Sequence, residues 1–302
     1  MNTGLKITAF AAAVAATFGT AYGVGKAVDP VVATERGHDA GAGHDSGSGS
    51  GNEHGVHEEQ AAGGGASATG LKSAEGGYTL DLQTPTVAAG GSAEIRFAVK
   101  GKDGRNVTAY RREHGKELHF IVASRDLTQY RHLHPVRAAD GTWSTPLRLP
   151  KAGAYRVFAD FTPEAQGATG HTLGTGLTVS GKGSPEPLPP VRTTVQVDGY
   201  EVALAGALHS GTAGELRLTV RKDGRLVTDL QPYLGAYGHL VALRSGDLAY
   251  LHVHPNPGGP GPVVSFTATA PSEGRYRLFL DFQHEGKVRT AAFTVEAQGQ
   301  AG

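Results

Sequence analysis

The sequence predicts an all-β protein: two tandem Ig-like or cupredoxin-like β-sandwich domains after an N-terminal signal or anchor helix and a disordered linker. Three observations predict it. Beyond residue 70, short alternating apolar runs are separated by turn signals. The same runs recur in a second copy with matching local sequence. Gly accounts for 45 of 302 residues, about twice the usual share of roughly 7%, which favours turns and linkers.

The chain opens on a targeting segment, residues 1–26. Residues 7–25 carry no charge, with Lys6 before the run and Lys26 after it. As a helix, such a run spans about 28 Å, just enough for a hydrocarbon core. It reads either as a cleaved signal peptide or as an uncleaved anchor. Both send the rest of the chain out of the cytoplasm, anchored to the membrane or secreted.

Residues 27–72 form a linker. Between Gly37 and Gly70 there is no Lys or Arg, while Asp39, Asp45, Glu53, Glu58 and Glu59 accompany His38, His44, His54 and His57. Little here can bury a core, so disorder is expected. His-rich tracts also carry a compositional signal for metal capture.

Repeat 1 is placed at 73–181, with strands at Tyr78–Leu82, Ala93–Val99, Leu118–Val122, Thr142–Leu149, Tyr155–Phe161 and Gly176–Val179. Residues 182–190, rich in Pro and Gly, are a stiff connection. Repeat 2 is placed at 191–297, with strands at Thr193–Val197, Glu215–Val220, His239–Leu243, Val263–Ala268, Tyr276–Phe282 and Ala291–Val295.

The two copies align residue by residue in places. Lys102-Asp103-Gly104-Arg105 matches Lys222-Asp223-Gly224-Arg225. The run Gly153-Ala154-Tyr155-Arg156-Val157-Phe158-Ala159-Asp160-Phe161 matches Gly274-Arg275-Tyr276-Arg277-Leu278-Phe279-Leu280-Asp281-Phe282. Between these lies His119, twelve residues, His132-Leu133-His134-Pro135, matched by His239, twelve residues, His252-Val253-His254-Pro255.

That interval has a chemical meaning. Residues i and i+2 of a strand share a face, so His132 pairs with His134 and His252 with His254. A hairpin turn at Asp126-Leu127 or Asp247-Leu248 would set His119 or His239 opposite its pair. Three imidazoles then converge on one ion in each repeat, and imidazole suits Cu(II) or Zn(II). Asp160 and Asp281 are candidate fourth ligands or acceptors that orient a His. The competing reading is a loop-fixing network in which the imidazoles bond backbone groups. Tyr130 and Tyr250 read as packing residues, and Trp143 as core.

Composition bounds the chemistry. The chain has no Cys, and its only Met is Met1. Disulfides, thiolate metal sites and cysteine nucleophiles are excluded. Blue-copper and Met-lined Cu(I) sites are excluded with them. Lys plus Arg equals Asp plus Glu at 28 each, so net charge gives no argument for nucleic acid.

At the His-x-His-Pro segments and the Gly-x-Tyr-Arg-x-Phe strands, the chain resembles a group of poorly characterised, membrane-anchored or secreted bacterial proteins. They are mostly actinobacterial and carry tandem immunoglobulin- or cupredoxin-like domains. The resemblance covers roughly residues 1–297. It implies association with heavy-metal handling, especially copper, and carries over no catalytic residues. Leu251-His252-Val253-His254 also resembles, over those residues alone, the His-Val-His strand of copper–zinc superoxide dismutase, whose disulfide and bridging His are absent here.

The expected function is therefore extracytoplasmic binding of Cu(II) or Zn(II) as a chaperone, buffer or sensor, without catalysis. His119, His132 and His134 would hold one ion, and His239, His252 and His254 another. The alternative is a non-metal Ig-like module displayed to a protein partner. A superoxide-dismutase-like oxidoreductase stands third.

Overall fold

A computed structural model of the chain describes residues 68–251 and 253–299, all of which fall in one unit of the fold. Of His254 only the backbone is described. The expected anchor and most of the linker lie outside these residues. No helix among the described residues is long and apolar enough to cross a membrane.

The fold is all-β and repeats once. Repeat 1 holds β1 (Ala74–Glu75), β2 (Tyr78–Leu82), β3 (Thr86–Ala88), β4 (Ser92–Lys100), β5 (Tyr110–Arg111), β6 (Leu118–Ser124), β7 (Tyr130–Leu133), β8 (Val136–Arg137), β9 (Thr142–Arg148), β10 (Gly153–Pro163) and β11 (His171–Ser180). One sheet runs β1-β2-β4-β9-β8, and the other runs β3-β11-β10-β6-β7 with β5 on β10. Repeat 2 holds β12 (Thr194–Val197), β13 (Tyr200–Ala205), β14 (Gly214–Lys222), β15 (Arg225–Leu226), β16 (His239–Arg244), β17 (Tyr250–Leu251), β18 (His254–Pro255), β19 (Val263–Ala268), β20 (Gly274–His284) and β21 (Lys287–Ala297). Its sheets run β12-β13-β14-β19-β18, with β15 on β14, and β17-β16-β20-β21.

Turn chemistry sets these registers. Asp223 and Gly224 both have positive φ, 50° and 75°, between the paired Lys222 and Arg225. That is the two-residue hairpin geometry that Asp-Gly favours. The identical tetrapeptide in repeat 1 turns differently: Gly101 N–H donates to Arg105 O at 2.9 Å, and Asp103 stays out of the left-handed region.

Each sandwich buries its own core. In repeat 1, Phe97 stacks on Phe120 at 4.4 Å and lies parallel to Trp143 at 6.3 Å. In repeat 2, Tyr200, Phe266, Tyr276, Phe282 and Phe293 are fully buried. The matched Tyr of the Gly-x-Tyr-Arg strands does one job twice. Tyr155 Oη donates to Lys151 O at 2.8 Å, and Tyr276 Oη donates to Ser272 O at 2.9 Å. Each bond pins the strand to the turn that precedes it.

A third apolar cluster joins the repeats. Ile121, Ala123, Leu127, Tyr130 and Phe158 pack against Val241, Leu243, Leu248, Tyr250 and Phe279. Tyr130 stacks on Phe279 with ring centroids 4.0 Å apart and planes 5° from parallel. Phe158 meets Tyr250 at 5.6 Å. At about 1.5–3 kcal/mol per fully buried large apolar side chain, this cluster is a core in its own right. The buried Arg277 reaches across it, its Nε donating to Leu127 O at 3.3 Å.

The His-x-His segments build differently in the two repeats. In repeat 1 the expected hairpin forms: β6 pairs with β7, Ile121 opposite His132 and Phe120 opposite Leu133. Leu127 takes the left-handed conformation at the turn, φ 57°. In repeat 2, β17 stops at Leu251, and His254 belongs to β18, paired with Thr267 in the opposite sheet. His252, the other half of the expected pair, lies outside the described residues. In repeat 1 the hairpin strand continues to Leu133, and the next strand, β8, starts only at Val136.

Candidate functional site

The site starts from β6 and β7. Their register sets His119 beside the His132–His134 segment, and the three imidazoles converge. One nitrogen from each lies within 4.8 Å of the others. His119 Nδ1 and His132 Nε2 are 3.0 Å apart. Ring centroids separate His132 from His134 by 4.8 Å and His119 from His134 by 5.4 Å.

The opposite nitrogens are already committed. His119 Nε2 lies 3.3 Å from Glu113 O, a carbonyl that only accepts. His132 Nδ1 lies 2.8 Å from Asp281 Oδ2, a carboxylate oxygen of repeat 2. With both rings neutral, His119 donates through Nε2 and His132 through Nδ1, and the nitrogens that face each other at 3.0 Å both present lone pairs. His134 Nδ1 meets Tyr233 Oη at 3.4 Å, while its Nε2 is buried without a hydrogen-bond partner among the described residues.

Repeat 2 closes the site. Asp281 sits on β20, opposite His239 in the β16–β20 register. Its second oxygen accepts from Thr290 Oγ1 at 2.5 Å. His239 Nε2 donates to Tyr233 O at 2.8 Å, which leaves Nδ1 as its lone-pair nitrogen. The His239 ring stands 6.2 Å from both the His119 and His132 rings. The matched Asp160 accepts from Thr172 Oγ1 at 3.1 Å and from Tyr250 Oη at 3.3 Å.

Some of these side chains wall a chamber of about 40 Å³, lined by His114, His119, His132, Asp160, His239 and Tyr250 among others. That volume suits one ion or about one water. Burial, reinforced by the neighbouring His132, pushes His119 down to about 4 and His134 to about 3. Burial is also the main cause that pushes His239 down to about 4. At neutral pH these three rings are uncharged, the state a metal ligand requires. Burial, with Asp281 nearby, raises Tyr233 to about 12.

Of the two expected ligand sets, the structure describes all three side chains only for that of repeat 1. His119, His132 and His134 come together, with Asp281 bonded to His132 and His239 on the wall of the same chamber. His254 lies on β18, and His252 lies outside the described residues. Three residues at the site went unnoticed in the sequence: His114 on the wall, Tyr250 on the wall as a hydrogen-bond donor, and Tyr233, which meets His134 and accepts from His239. His114 and Tyr233 lie in turns that bear on the site, and both turns carry a Gly that marks them: Gly115 closes the bridge Glu113–Lys116, and Gly235 the bridge Tyr233–Ala236.

A family described as "Domain of unknown function (DUF8832)" matches residues 72–177 and 194–299, one match in each repeat. No curated protein matches the chain. Among solved structures, the Lin-41 filamin domain is 10% identical, with 39% of this chain and 98% of that chain covered and a TM-score of 0.26. The Escherichia coli adhesin FdeC is 14% identical, with 78% and 66% covered and a TM-score of 0.24. Invasin, described as a bacterial integrin-binding protein, is 13% identical, with 74% and 40% covered and a TM-score of 0.22. The chain spans less than two thirds of either bacterial protein. Likeness at this level carries nothing about function.

Proposed function

We propose that this chain, which belongs to the DUF8832 family and carries its domain twice, binds one divalent transition-metal ion, Cu(II) or Zn(II), where its repeats meet. Its place is outside the cytoplasm, and its role is that of a metal chaperone, buffer or sensor. His119, His132 and His134 are the ligands, Asp281 orients His132, and His239 faces the ion from the second repeat. We assign no catalytic step.

One observation carries this reading: two imidazole nitrogens 3.0 Å apart, each on a ring whose other nitrogen donates to an oxygen. Two lone pairs at that distance repel, and the gap is closed by a cation: a metal ion, or a proton on His132 balanced by Asp281. Metal–nitrogen bonds of about 2.0–2.1 Å at a tetrahedral angle separate the two nitrogens by about 3.3 Å. A modest opening of the pair therefore admits an ion. The unpartnered Nε2 of His134 supplies the third donor once that ring swings inward. The alternative tautomer, His132 donating to His119, would turn a lone pair toward the Asp281 carboxylate.

The test is calorimetric titration of the full chain with Cu(II) and with Zn(II), beside a His119→Ala/His132→Ala variant. We expect one tight site per chain that the variant lacks. An unchanged stoichiometry in the variant overturns the assignment and moves the binding elsewhere, for instance to the His-rich linker.

A second reading keeps the frame and dispenses with the ion: a tandem sandwich displayed to a protein partner. What supports it is Val136, 74% exposed on the short edge strand β8. It is what remains if neither metal binds.

A further inference from the structure

Beside the His chamber lies a larger cavity of about 370 Å³, in the size range of small-molecule sites. Tyr237, Asn256, Val264 and Ser265 are among its walls, and the walls include no Lys, Arg, Asp or Glu among the described residues. The Asn256 amide is held in place, donating to Ser265 Oγ at 3.2 Å and accepting from Thr267 Oγ1 at 2.9 Å. His114 and Pro255 line both cavities.

The two volumes set a problem of delivery. The chamber of about 40 Å³ holds an ion but not an ion wrapped in an organic carrier. The carrier must be shed outside, next to the chamber, and the uncharged cavity is the space available for it. His114 stands at the boundary. Its ring is 5.2 Å from that of His239 and 6.3 Å from that of His119. It shows no hydrogen bond among the described residues. The matching position of repeat 2 is Leu234, so this imidazole is peculiar to the copy that holds the ligands.

We infer that the larger cavity receives an uncharged nitrogen- and oxygen-donor chelate of amino-acid size bearing the ion, and that His114 is the transfer ligand passing the ion into the chamber. This rests on the metal reading above. At each step one bond from a carrier donor to the ion breaks as one from an imidazole nitrogen forms. The ion keeps its charge and no electron moves. The displaced carrier amine takes a proton from water.

The test is stopped-flow uptake of Cu(II) by the full chain from two carriers: the neutral bis-histidine complex and the anionic nitrilotriacetate complex. Two variants are compared with the parent. His114→Leu reproduces the residue of repeat 2, where Leu234 already adopts φ 55° against 50° for His114, so the backbone tolerates it. Ser265→Phe fills the cavity. We expect uptake from the histidine complex to slow at least tenfold in both variants, with uptake from nitrilotriacetate unchanged by Ser265→Phe and the final stoichiometry unchanged throughout. Equal rates in the parent and both variants overturn the transfer path and leave the metal site standing. An absence of uptake by the parent from either carrier overturns the metal reading and this inference with it.

Discussion

His132 donates its Nδ1 hydrogen to Asp281, 149 residues further along the chain and in the other repeat, at 2.8 Å. Both side chains are almost wholly buried, at 5% and 4% exposure. The bond fixes which nitrogen of His132 can face an ion. Replacing Asp281 with Asn keeps an acceptor but removes the charge that makes the imidazole a better donor. Metal affinity should fall about 10–100-fold, the usual cost of losing such a partner. Competition with a chromophoric chelator measures it. An unchanged affinity would mean that Asp281 merely braces the repeats.

His134 separates a ligand from a structural residue. Its buried Nε2 lacks a partner among the described residues, which costs about 1–3 kcal/mol in the metal-free fold. His134→Leu should therefore leave the metal-free Tm unchanged or higher and abolish the Tm rise on adding the ion. Differential scanning fluorimetry with and without Zn(II) reads both. A clear drop in the metal-free Tm would place His134 among the fold's supports.

Acid should weaken the metal-free fold. His119 and His239 are pushed down to about 4 and His134 to about 3, from an ordinary 6.5. Between those limits the unfolded chain binds more protons than the folded one, so stability rises with pH. This contribution is complete above about 6.5 and is lost progressively as pH falls toward 3–4. The urea midpoint should drop between pH 7.5 and pH 5. A midpoint that rises over this interval would contradict the burial of these rings.

Phe279 tests the joint between repeats. Its ring stacks on Tyr130, and the same strand carries Asp281 two residues on. Phe279→Ala should cost about 3–5 kcal/mol in denaturant unfolding. It should also weaken ion binding, although Phe279 touches none of the ligands. A stability loss below about 1 kcal/mol, with normal binding, would show that the repeats are positioned by something else.

Much of the fold was legible because alternation and turn residues report local structure. Leu118–Val122 and Tyr155–Phe161 lie within β6 and β10, and the equal His intervals brought His119 opposite its pair in repeat 1. The joint between repeats was missed because hairpin reasoning stops at one sheet. A signal was present: Phe120-Ile121-Val122-Ala123 is apolar without alternation, the mark of a strand buried on both faces. All four of those residues are fully buried, Phe120 and Val122 inside the sandwich, Ile121 and Ala123 against repeat 2. Asp160 and Asp281 looked equivalent in sequence. Their roles diverge because partners such as Tyr250 and His132 come from the opposite repeat, which no local pattern encodes.

The aromatic contact across the joint is reciprocal, stacked in one pair and tilted in the other. Tyr130 meets Phe279 and Phe158 meets Tyr250, and in the aligned copies Tyr130 corresponds to Tyr250 and Phe158 to Phe279. Such a surface is isologous, the kind two identical subunits make about a two-fold axis. A relative carrying a single copy of the domain would have to dimerise to build the same chamber. Fusion into one chain removes that dependence on concentration and releases the halves from identity. His114 facing the ligands in one half, with Leu234 in its place in the other, is a difference that only a covalently joined pair can hold in a fixed arrangement.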